Sequence, residues 1–197
     1  MTMTMEACFR ALIEARRDEI VVLSAGNASE MWWNLTGDRD TVFYLEASMS
    51  LAPMFGAGLA MGVPGRDVWV LNGDGALVMN PGTLMVEREL GLPNLKHFVV
   101  SNRRYGSTFD AALPNAAQND YPALARALGI ARAEQFETVE GLRAGLDDIR
   151  RPGHGLWTLE VEPLGHKIEP PPIDGPEMKF RFGRWMEAQC GVRVFGA

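Results

Sequence analysis

The stretch that decides the fold is Asp67-Val68-Trp69-Val70-Leu71-Asn72, which runs directly into the turn Gly73-Asp74-Gly75-Ala76. Its apolar, β-branched centre predicts a buried strand. Residues 96–101 form a second run of this kind, and Asn102-Arg103-Arg104-Tyr105-Gly106 follows it. The two runs are one helix apart and are expected to pair in parallel. Both polar segments should therefore lie at the carboxyl edge of one sheet, where open α/β sheets bind ligands.

Asp74 and Asn102 have side chains that suit a metal ion at that edge. Asn102 lies 28 positions after Asp74, and each residue follows an apolar strand. Carboxylate and amide oxygens are hard ligands. With a backbone carbonyl, water and phosphate oxygens they complete the octahedral shell that Mg²⁺ requires. The turn also lets the N–H groups of Gly75 and Ala76 donate to a phosphate. These residues predict a magnesium diphosphate site.

The rest of the chain alternates strand-like and helix-like patterns without a repeat or a low-complexity segment. Further strands are expected at residues 19–24, 41–44, near 130–133 and at 155–161, and helices at 6–17, 29–35, 50–61, from Asn80-Pro81 to Gly91, 121–128, 139–149 and 177–189. This order predicts an α/β fold with a doubly wound, mostly parallel sheet flanked by helices. We expect residues 1–197 to form a single domain, with a proline-rich connector at 165–176 leading to the last helix. The glycine- and alanine-rich helix at 50–61 should pack closely against the sheet or another helix.

The composition restricts the kinds of partner and compartment. A net charge of −6 and a pI near 5.1 argue against nucleic acid or an anionic membrane as a partner. No apolar run approaches the roughly 20 residues that span a bilayer. The two cysteines, Cys8 and Cys190, form no zinc or disulfide pattern, and no signal peptide is visible. We therefore expect a reduced, cytoplasmic protein in which both cysteines are core or surface residues.

Residues 74–106 resemble the signature of thiamine diphosphate enzymes, in which Gly-Asp-Gly is followed, after another strand, by Asn-Asn. Residues 47–52, 73–80 and 102–108 are similar, more narrowly, to the sulfopyruvate and phosphonopyruvate decarboxylases, and the resemblance extends along nearly the whole chain. It implies a thiamine diphosphate-binding fold of the diphosphate-binding (PP) type. In this group that domain also occurs as the separate β subunit of sulfopyruvate decarboxylase.

The resemblance also implies roles for individual residues. The Mg²⁺ ligands would be the side chains of Asp74 and Asn102 and the backbone carbonyl of Arg104. Met49 would be the bulky residue under the cofactor, and the Ala47 carbonyl would accept a hydrogen bond from the cofactor's 4′-amino group. The full set of implied cofactor-binding residues is Asn27, Ala47, Ser48, Met49, Gly73, Asp74, Gly75, Ala76, Asn102, Arg104, Tyr105 and Gly106.

Arg103 and Arg104 form an unusual pair beside the predicted site, and Ser101 stands where the family usually has Asn. One interpretation is that the arginines face solvent or a partner chain. The other is that one of them binds an anionic group of the substrate, such as sulfonate, phosphonate or carboxylate. The hydroxyl groups of Ser107 and Thr108 are expected to be structural.

The histidines and the paired tryptophans carry weaker signals. We expect His97 to precede its strand and point to solvent, His154 to lie in a turn, and His166 to lie in the connector, from which it could reach the site. Trp32 and Trp33 fit packing or a subunit interface better than cofactor stacking.

The resemblance implies a decarboxylase that acts on a small anionic 2-oxoacid of the 3-sulfopyruvate or 3-phosphonopyruvate type, with thiamine diphosphate and Mg²⁺. The family places the glutamate that activates the cofactor on a pyrimidine-binding domain, so Glu46 is not expected to have that role. No catalytic residue is then assigned in this chain, and a pyrimidine-binding α subunit is expected to supply the glutamate. The chain by itself should be inactive.

Other functions are compatible with the same residues. One alternative is a carboligase or a 2-oxoacid oxidoreductase subunit, although no cysteines are spaced for an iron–sulfur cluster. Another is a non-catalytic scaffold of the same fold. A dinucleotide-binding fold is disfavoured because residues 24–28 do not supply the glycine pattern that such folds carry after their first strand.

Overall fold

Alternating strands and helices build one parallel sheet in the computed structural model, which describes residues 3–196. The strands are β1 Met3–Thr4, β2 Ile20–Ser24, β3 Val42–Leu45, β4 Val68–Gly73, β5 Leu95–Ser101, β6 Arg104–Tyr105, β7 Ala111–Ala112, β8 Arg132–Phe136 and β9 Gly155–Glu162. The helices are α1 Met5–Ala15, α2 Asn27–Thr36, α3 Ala52–Gly62, α4 Asp74–Met79, α5 Thr83–Leu90, α6 Tyr121–Ala127, α7 Val139–Ile149 and α8 Gly175–Cys190. None of the helices within residues 3–196 is long and apolar enough to cross a membrane.

The order of strands across the sheet is β3-β2-β4-β5-β9, and β9 pairs on its far side with β8 and, near its end, with β1. Every pair in this sheet is parallel. β6 and β7 form a separate antiparallel hairpin. From β2 the chain continues to β3 on one side, then crosses to β4 on the other side of β2 and continues to β5 and β9. This change of direction between β2 and β4 is the doubly wound arrangement. The predicted fold class is confirmed.

Both faces of the sheet are buried because the central strands alternate their side chains between two helical layers. Val21, Leu23 and Trp69 face a core that includes Phe9 of α1 and Trp32 of α2. Ile20, Val22 and Val70 face a second core that includes Ala57 of α3 and Phe182 of α8. Cys8 is buried in the first core and Cys190 is half-buried, and neither forms a disulfide. Trp32 is therefore a packing residue, as expected.

The glycine-rich helix α3 packs closely against the sheet, one of the two partners that the sequence predicted for it. A Cβ atom on Gly56 of α3 would lie only 2.2 Å from Val70 Cγ2 of β4. Such a distance is far below van der Waals contact, so only glycine lets α3 pack this closely.

The structure differs from the sequence prediction in several short elements. Asp74 begins the six-residue helix α4, where only a turn was expected, because Leu77 is buried and draws the segment back onto the sheet. The next helix starts at Thr83 and not at Pro81, since the Thr83 hydroxyl and N–H both donate to the Asn80 carbonyl and close a turn there.

The strands β1, β6 and β7 were not predicted, because each has only two residues, too few to show a period. The strand expected near 130–133 begins later because Gly129 adopts a positive φ and Ile130 packs into the core first.

The expectation that His97 points to solvent is wrong. His97 lies inside β5 and is fully buried, and its Nδ1 donates to the Glu87 carboxylate of α5 at 3.0 Å. His154 Nε2, just before β9, donates to the same carboxylate at 2.8 Å. We call Glu87, His97 and His154 the Glu87 cluster. It joins α5 to two neighbouring strands near their amino ends, away from the edge that carries Asp74.

Candidate functional site

Asp74 joins the two polar turns at the carboxyl edge of the sheet. Its Oδ1 accepts the Gly75 N–H at 2.8 Å. Its Oδ2 accepts the Arg103 N–H at 2.7 Å and the Ser101 hydroxyl at 3.2 Å. The carboxylate at the end of β4 is thus held by the chain that leaves β5, as the two-strand pattern in the sequence predicted.

The Asp74 carboxylate is buried and its hydrogen-bond donors are all uncharged groups. Only 2% of the residue is exposed. Burial raises the pKa of Asp74 to about 6, although the hydrogen bonds from Arg103, Gly75 and Ser101 favour the charged form. A cation at this position would offset the cost of burying the charge, so the residue suits a metal ligand.

Asn102 is oriented by a chain of amide contacts. Its Oδ1 accepts the Arg104 N–H at 3.0 Å, across a turn in which Arg103 has a positive φ of 62°. Its Nδ2 donates to Asn27 Oδ1 at 3.5 Å, and Asn27 Nδ2 donates to Glu30 Oε2 at 2.8 Å. Because the Asn102 nitrogen is directed to Asn27, its oxygen remains on the side of the Arg104 backbone, where a second lone pair can bind a cation.

Two glycines let the segments around the site approach each other. A Cβ on Gly106 would lie 2.3 Å from Asn27 Oδ1 and 3.0 Å from Asn102 Nδ2. A Cβ on Gly75 would lie 2.8 Å from the Tyr105 ring. Any other residue would force the side chains of the site apart, which explains why glycine occupies both positions.

The structure brings most of the predicted site residues into one place. A cavity of about 40 Å³ is lined by Asn27, Gly73, Asp74, Gly75, Asn102 and Arg104. Tyr105 and Gly106 pack against its lining residues, and Ala76 is buried in the first turn of α4. The first N–H groups of a helix have no partner within the helix, so the backbone of this turn can donate to a ligand.

Ala47, Ser48 and Met49 lie elsewhere. They follow the edge strand β3, which β2 separates from β4. Ala47 and Ser48 line a different, largely apolar groove of about 700 Å³ between β3, α3 and α8. A ligand that contacts both Asp74 and Ala47 would have to extend along the edge of the sheet across β2.

The two arginines are engaged by other residues of the same chain. The Arg103 guanidinium forms an ion pair with Glu160 of β9, and it donates to the backbone carbonyls of Ala116 and Asn119. Arg104 Nε donates to Asp110 Oδ1 at 2.9 Å, and this pair is half-exposed. Arg103 is therefore structural, which neither interpretation of the arginine pair anticipated.

Some contributors to the site were not identified from the sequence. Ser107 and Met5 line the small cavity, and Glu30 fixes the Asn27 amide. Glu30 follows Asn27 by three positions at the start of a helix, a spacing that places the two side chains side by side and could have signalled the contact. Among residues 3–196, no group of three His, Cys, Asp or Glu side chains could hold a metal ion. The site around Asp74 is of another type, because it combines one carboxylate with one side-chain amide oxygen and one backbone carbonyl oxygen.

Comparisons with known proteins identify the family of the chain. The family model described as thiamine pyrophosphate enzyme, C-terminal TPP binding domain, matches residues 24–161. The chain is 34% identical over 155 residues to a phosphonopyruvate decarboxylase of Streptomyces viridochromogenes, covering 78% of this chain and 38% of that protein. It is 31% identical over 172 residues to the sulfopyruvate decarboxylase subunit beta of Methanocaldococcus jannaschii, covering 83% of this chain and 86% of that subunit.

A solved structure supports the fold. The benzoylformate decarboxylase of Polynucleobacter necessarius superposes with a TM-score of 0.68 at 19% identity, over 84% of this chain and 34% of that chain. The chain thus spans about a third of that decarboxylase chain and most of the Methanocaldococcus beta subunit. Together with the family match over its central residues, this shows that the chain belongs to the thiamine pyrophosphate enzymes and has the C-terminal, TPP-binding type of domain.

Proposed function

We propose that this chain is the cofactor-anchoring subunit of a heteromeric decarboxylase that depends on thiamine diphosphate and Mg²⁺. Its substrate would be a small anionic 2-oxoacid of the 3-sulfopyruvate or 3-phosphonopyruvate type. The observation that carries the proposal is the buried Asp74 carboxylate, hydrogen-bonded to the backbone beside Asn102 at the carboxyl edge of the sheet. We infer a cytoplasmic location and no nucleic-acid or membrane partner.

The residues present fit the cofactor and its ion. Asp74 and the Asn102 oxygen, with the Arg104 carbonyl, would hold Mg²⁺, and the remaining positions of the octahedron would go to diphosphate oxygens and water. The Ala76 N–H would donate to the diphosphate, and the Gly75 N–H could do so once it leaves Asp74 Oδ1. When bound, thiamine diphosphate supplies the electron sink that loss of CO₂ from a 2-oxoacid requires.

The other end of the cofactor would lie toward the edge strand β3. There Met49 would support the pyrimidine and the Ala47 carbonyl would orient it. The separation of these residues from Asp74 across β2 suits a long ligand better than a small anion. The contribution of this chain is to bind and orient the cofactor, and to exclude water from one side of the site.

The proposal of a partner is supported by the similarity to proteins named as beta subunits of sulfopyruvate decarboxylase. The chain covers 38% of the Streptomyces enzyme and 86% of the Methanocaldococcus beta subunit. A separate pyrimidine-binding α subunit would supply the activating glutamate and the second wall of the site. Burial raises the pKa of Glu46, but the resemblance places the activating carboxylate on the facing domain.

Reconstitution tests this proposal. We expect negligible decarboxylation of 3-sulfopyruvate and 3-phosphonopyruvate by the chain alone. Mixing it with an α-type pyrimidine-binding chain encoded nearby should raise CO₂ release on the order of 100-fold or more, the contribution typical of a positioned acid or base. Rapid turnover by the chain alone would contradict the heteromeric proposal. A carbon–carbon ligation product in place of the aldehyde would favour the carboligase alternative, and absence of cofactor binding would favour a scaffold.

A further inference from the structure

A second cavity lies beside the proposed cofactor site and has a volume of about 250 Å³. It is lined by residues 108–110 of the β6–β7 hairpin, by residues 164–167, which follow β9, and by Asn27 and Gly106. Asn27 also lines the smaller cavity around Asp74, so the two cavities adjoin at this residue. The larger one has room for several water molecules, at about 30 Å³ each, or for a small dianion.

The topology of the sheet explains why residues 164–167 lie at this cavity. β9 lies next to β5, and the two run parallel with Glu160 opposite Ser101. The chain that leaves β9 after Glu162 therefore emerges beside the chain that leaves β5 through Asn102 to Gly106. The pairing of β9 with β5 therefore places residues 164–167 beside the site.

The charged side chains around this cavity differ in what they already bind. Arg103 is committed to Glu160, and Arg104 is paired with Asp110. Lys167 is exposed and has no carboxylate within ion-pair distance among the described residues 3–196. It nevertheless lies within electrostatic range of Glu30: burial raises the pKa of Glu30, and the Asn27 hydrogen bond and the Lys167 charge oppose that shift. Lys167 and Asn27 both line the cavity.

His166 and Thr108 have defined hydrogen-bonding roles. His166 Nδ1 donates to the Leu164 carbonyl at 2.8 Å, which leaves Nε2 as the nitrogen that can meet a ligand. The Thr108 hydroxyl donates its proton to the Tyr105 carbonyl at 3.2 Å, so it has no proton left for an anion. Lys167 is therefore the main candidate for a counter-charge in this cavity, with His166 beside it.

We propose that this cavity binds the tetrahedral oxyanion of the substrate, a sulfonate or phosphonate group, with Lys167 as its counter-charge and His166 Nε2 as a hydrogen-bonding neighbour. This inference rests on the proposed function, because it is the neighbouring cofactor site that makes the bound anion a substrate group. An ammonium is a compact charge that binds a tetrahedral oxyanion from any direction, so a flexible lysine in a connector is sufficient. The cavity then selects 2-oxoacids with a second anionic group over neutral ones.

Binding of unreactive probes tests the inference without any turnover. Amide NMR spectra of the chain would be titrated with sulfoacetate, phosphonoacetate and, as the probe without a tetrahedral anion, propanoate. We expect sulfoacetate or phosphonoacetate to shift the amide signals of residues 106–110 and 164–167, and the tighter of the two identifies the substituent. Lys167→Met should weaken that binding about tenfold, the loss of one charge-assisted hydrogen bond. Lys179→Met, at an exposed lysine of α8, is the matched control and should leave the affinity unchanged.

Several results would overturn the inference. These are no shifts at the two segments, equal weakening by both lysine substitutions, or propanoate binding as tightly as the tetrahedral anions. Failure of the proposed function would look different, because thiamine diphosphate with Mg²⁺ would then leave the signals of Asp74 and Asn102 unchanged, whatever the anion probes do at residues 164–167.

Discussion

Asp74→Ala should reduce the affinity for thiamine diphosphate in the presence of Mg²⁺ by roughly 100-fold or more. The substitution removes the one carboxylate of the proposed ligand set, and loss even of a supporting residue around a metal typically costs 10- to 100-fold in affinity. It also frees the Arg103 N–H and the Ser101 hydroxyl, which both donate to Asp74 Oδ2. Calorimetric titration of the cofactor, with and without Mg²⁺, measures the effect.

Two further variants make this result interpretable. Asp74→Asn keeps the shape of the side chain but removes its charge, and it should also lose most of the Mg²⁺ dependence. Asp147→Asn removes an exposed carboxylate of α7, 94% of whose side chain is accessible, and it should bind the cofactor like the wild type. Unchanged binding by both Asp74 variants would show that the ion or the cofactor is held elsewhere.

Glu87→Gln should destabilise the folded protein by about 3 kcal/mol, because it removes a buried carboxylate that accepts hydrogen bonds from two histidines. The Glu87 carboxylate accepts from His97 at 3.0 Å and from His154 at 2.8 Å, and both Glu87 and His97 are fully buried. The oxygen of a glutamine at this position can accept a hydrogen bond from one of the two histidines. Its NH₂ group would then face the N–H of the other histidine, and two donors cannot form a hydrogen bond. Urea unfolding at pH 7 measures the loss, and Glu89→Gln, on the exposed side of the same helix, should change stability by less than about 0.5 kcal/mol.

The effect of Glu87→Gln should also depend on pH. Burial favours the neutral acid, but the charge of His97 and the hydrogen bonds from both histidines outweigh it and lower the Glu87 pKa from 4.5 to about 2. A carboxyl group whose pKa is lower in the folded state stabilises the protein fully above its ordinary pKa, and this contribution is lost as the pH falls toward the lowered value. The difference in the free energy of unfolding between wild type and variant should thus be largest above pH 4.5, and it should become smaller as the pH falls from 4.5 to 2. A pH-independent difference would show that the variant acts through packing alone.

The parts of the site that the sequence predicts are those controlled by neighbouring residues. Asp74 and Asn102 follow apolar strands directly, so the direction of each strand determines where the side chain emerges. Gly75 and Gly106 occur where the backbone must approach a side chain, and their place in the motif is visible without coordinates. The same reasoning predicted the parallel sheet, because its longer strands are apolar, β-branched runs that alternate along the chain with helix-like segments.

The contacts that sequence reasoning missed join residues that are far apart in the chain. Glu87 and His154 are 67 positions apart, and Arg103 and Glu160 are 57 apart. Glu87 looks like any charged residue of an amphipathic helix, and only the pairing of β5 with β9 brings two imidazoles to it. Arg103 is similar, since its partner depends on β9 lying beside β5. Strand order across the sheet decides these contacts, and no local pattern reports that order.

The proposed roles of Asp74, Asn102 and the Arg104 carbonyl are tested most directly by locating the ion. Crystals of the chain grown with thiamine diphosphate and Mn²⁺ in place of Mg²⁺ would be measured for anomalous scattering from manganese. We expect one strong peak within coordination distance, about 2.1 Å for the Mg²⁺ that it replaces, of an Asp74 carboxylate oxygen, Asn102 Oδ1 and the Arg104 carbonyl oxygen. A bound cofactor whose manganese peak lies away from Asp74 and Asn102, or that has no metal beside its diphosphate, would contradict the proposed site.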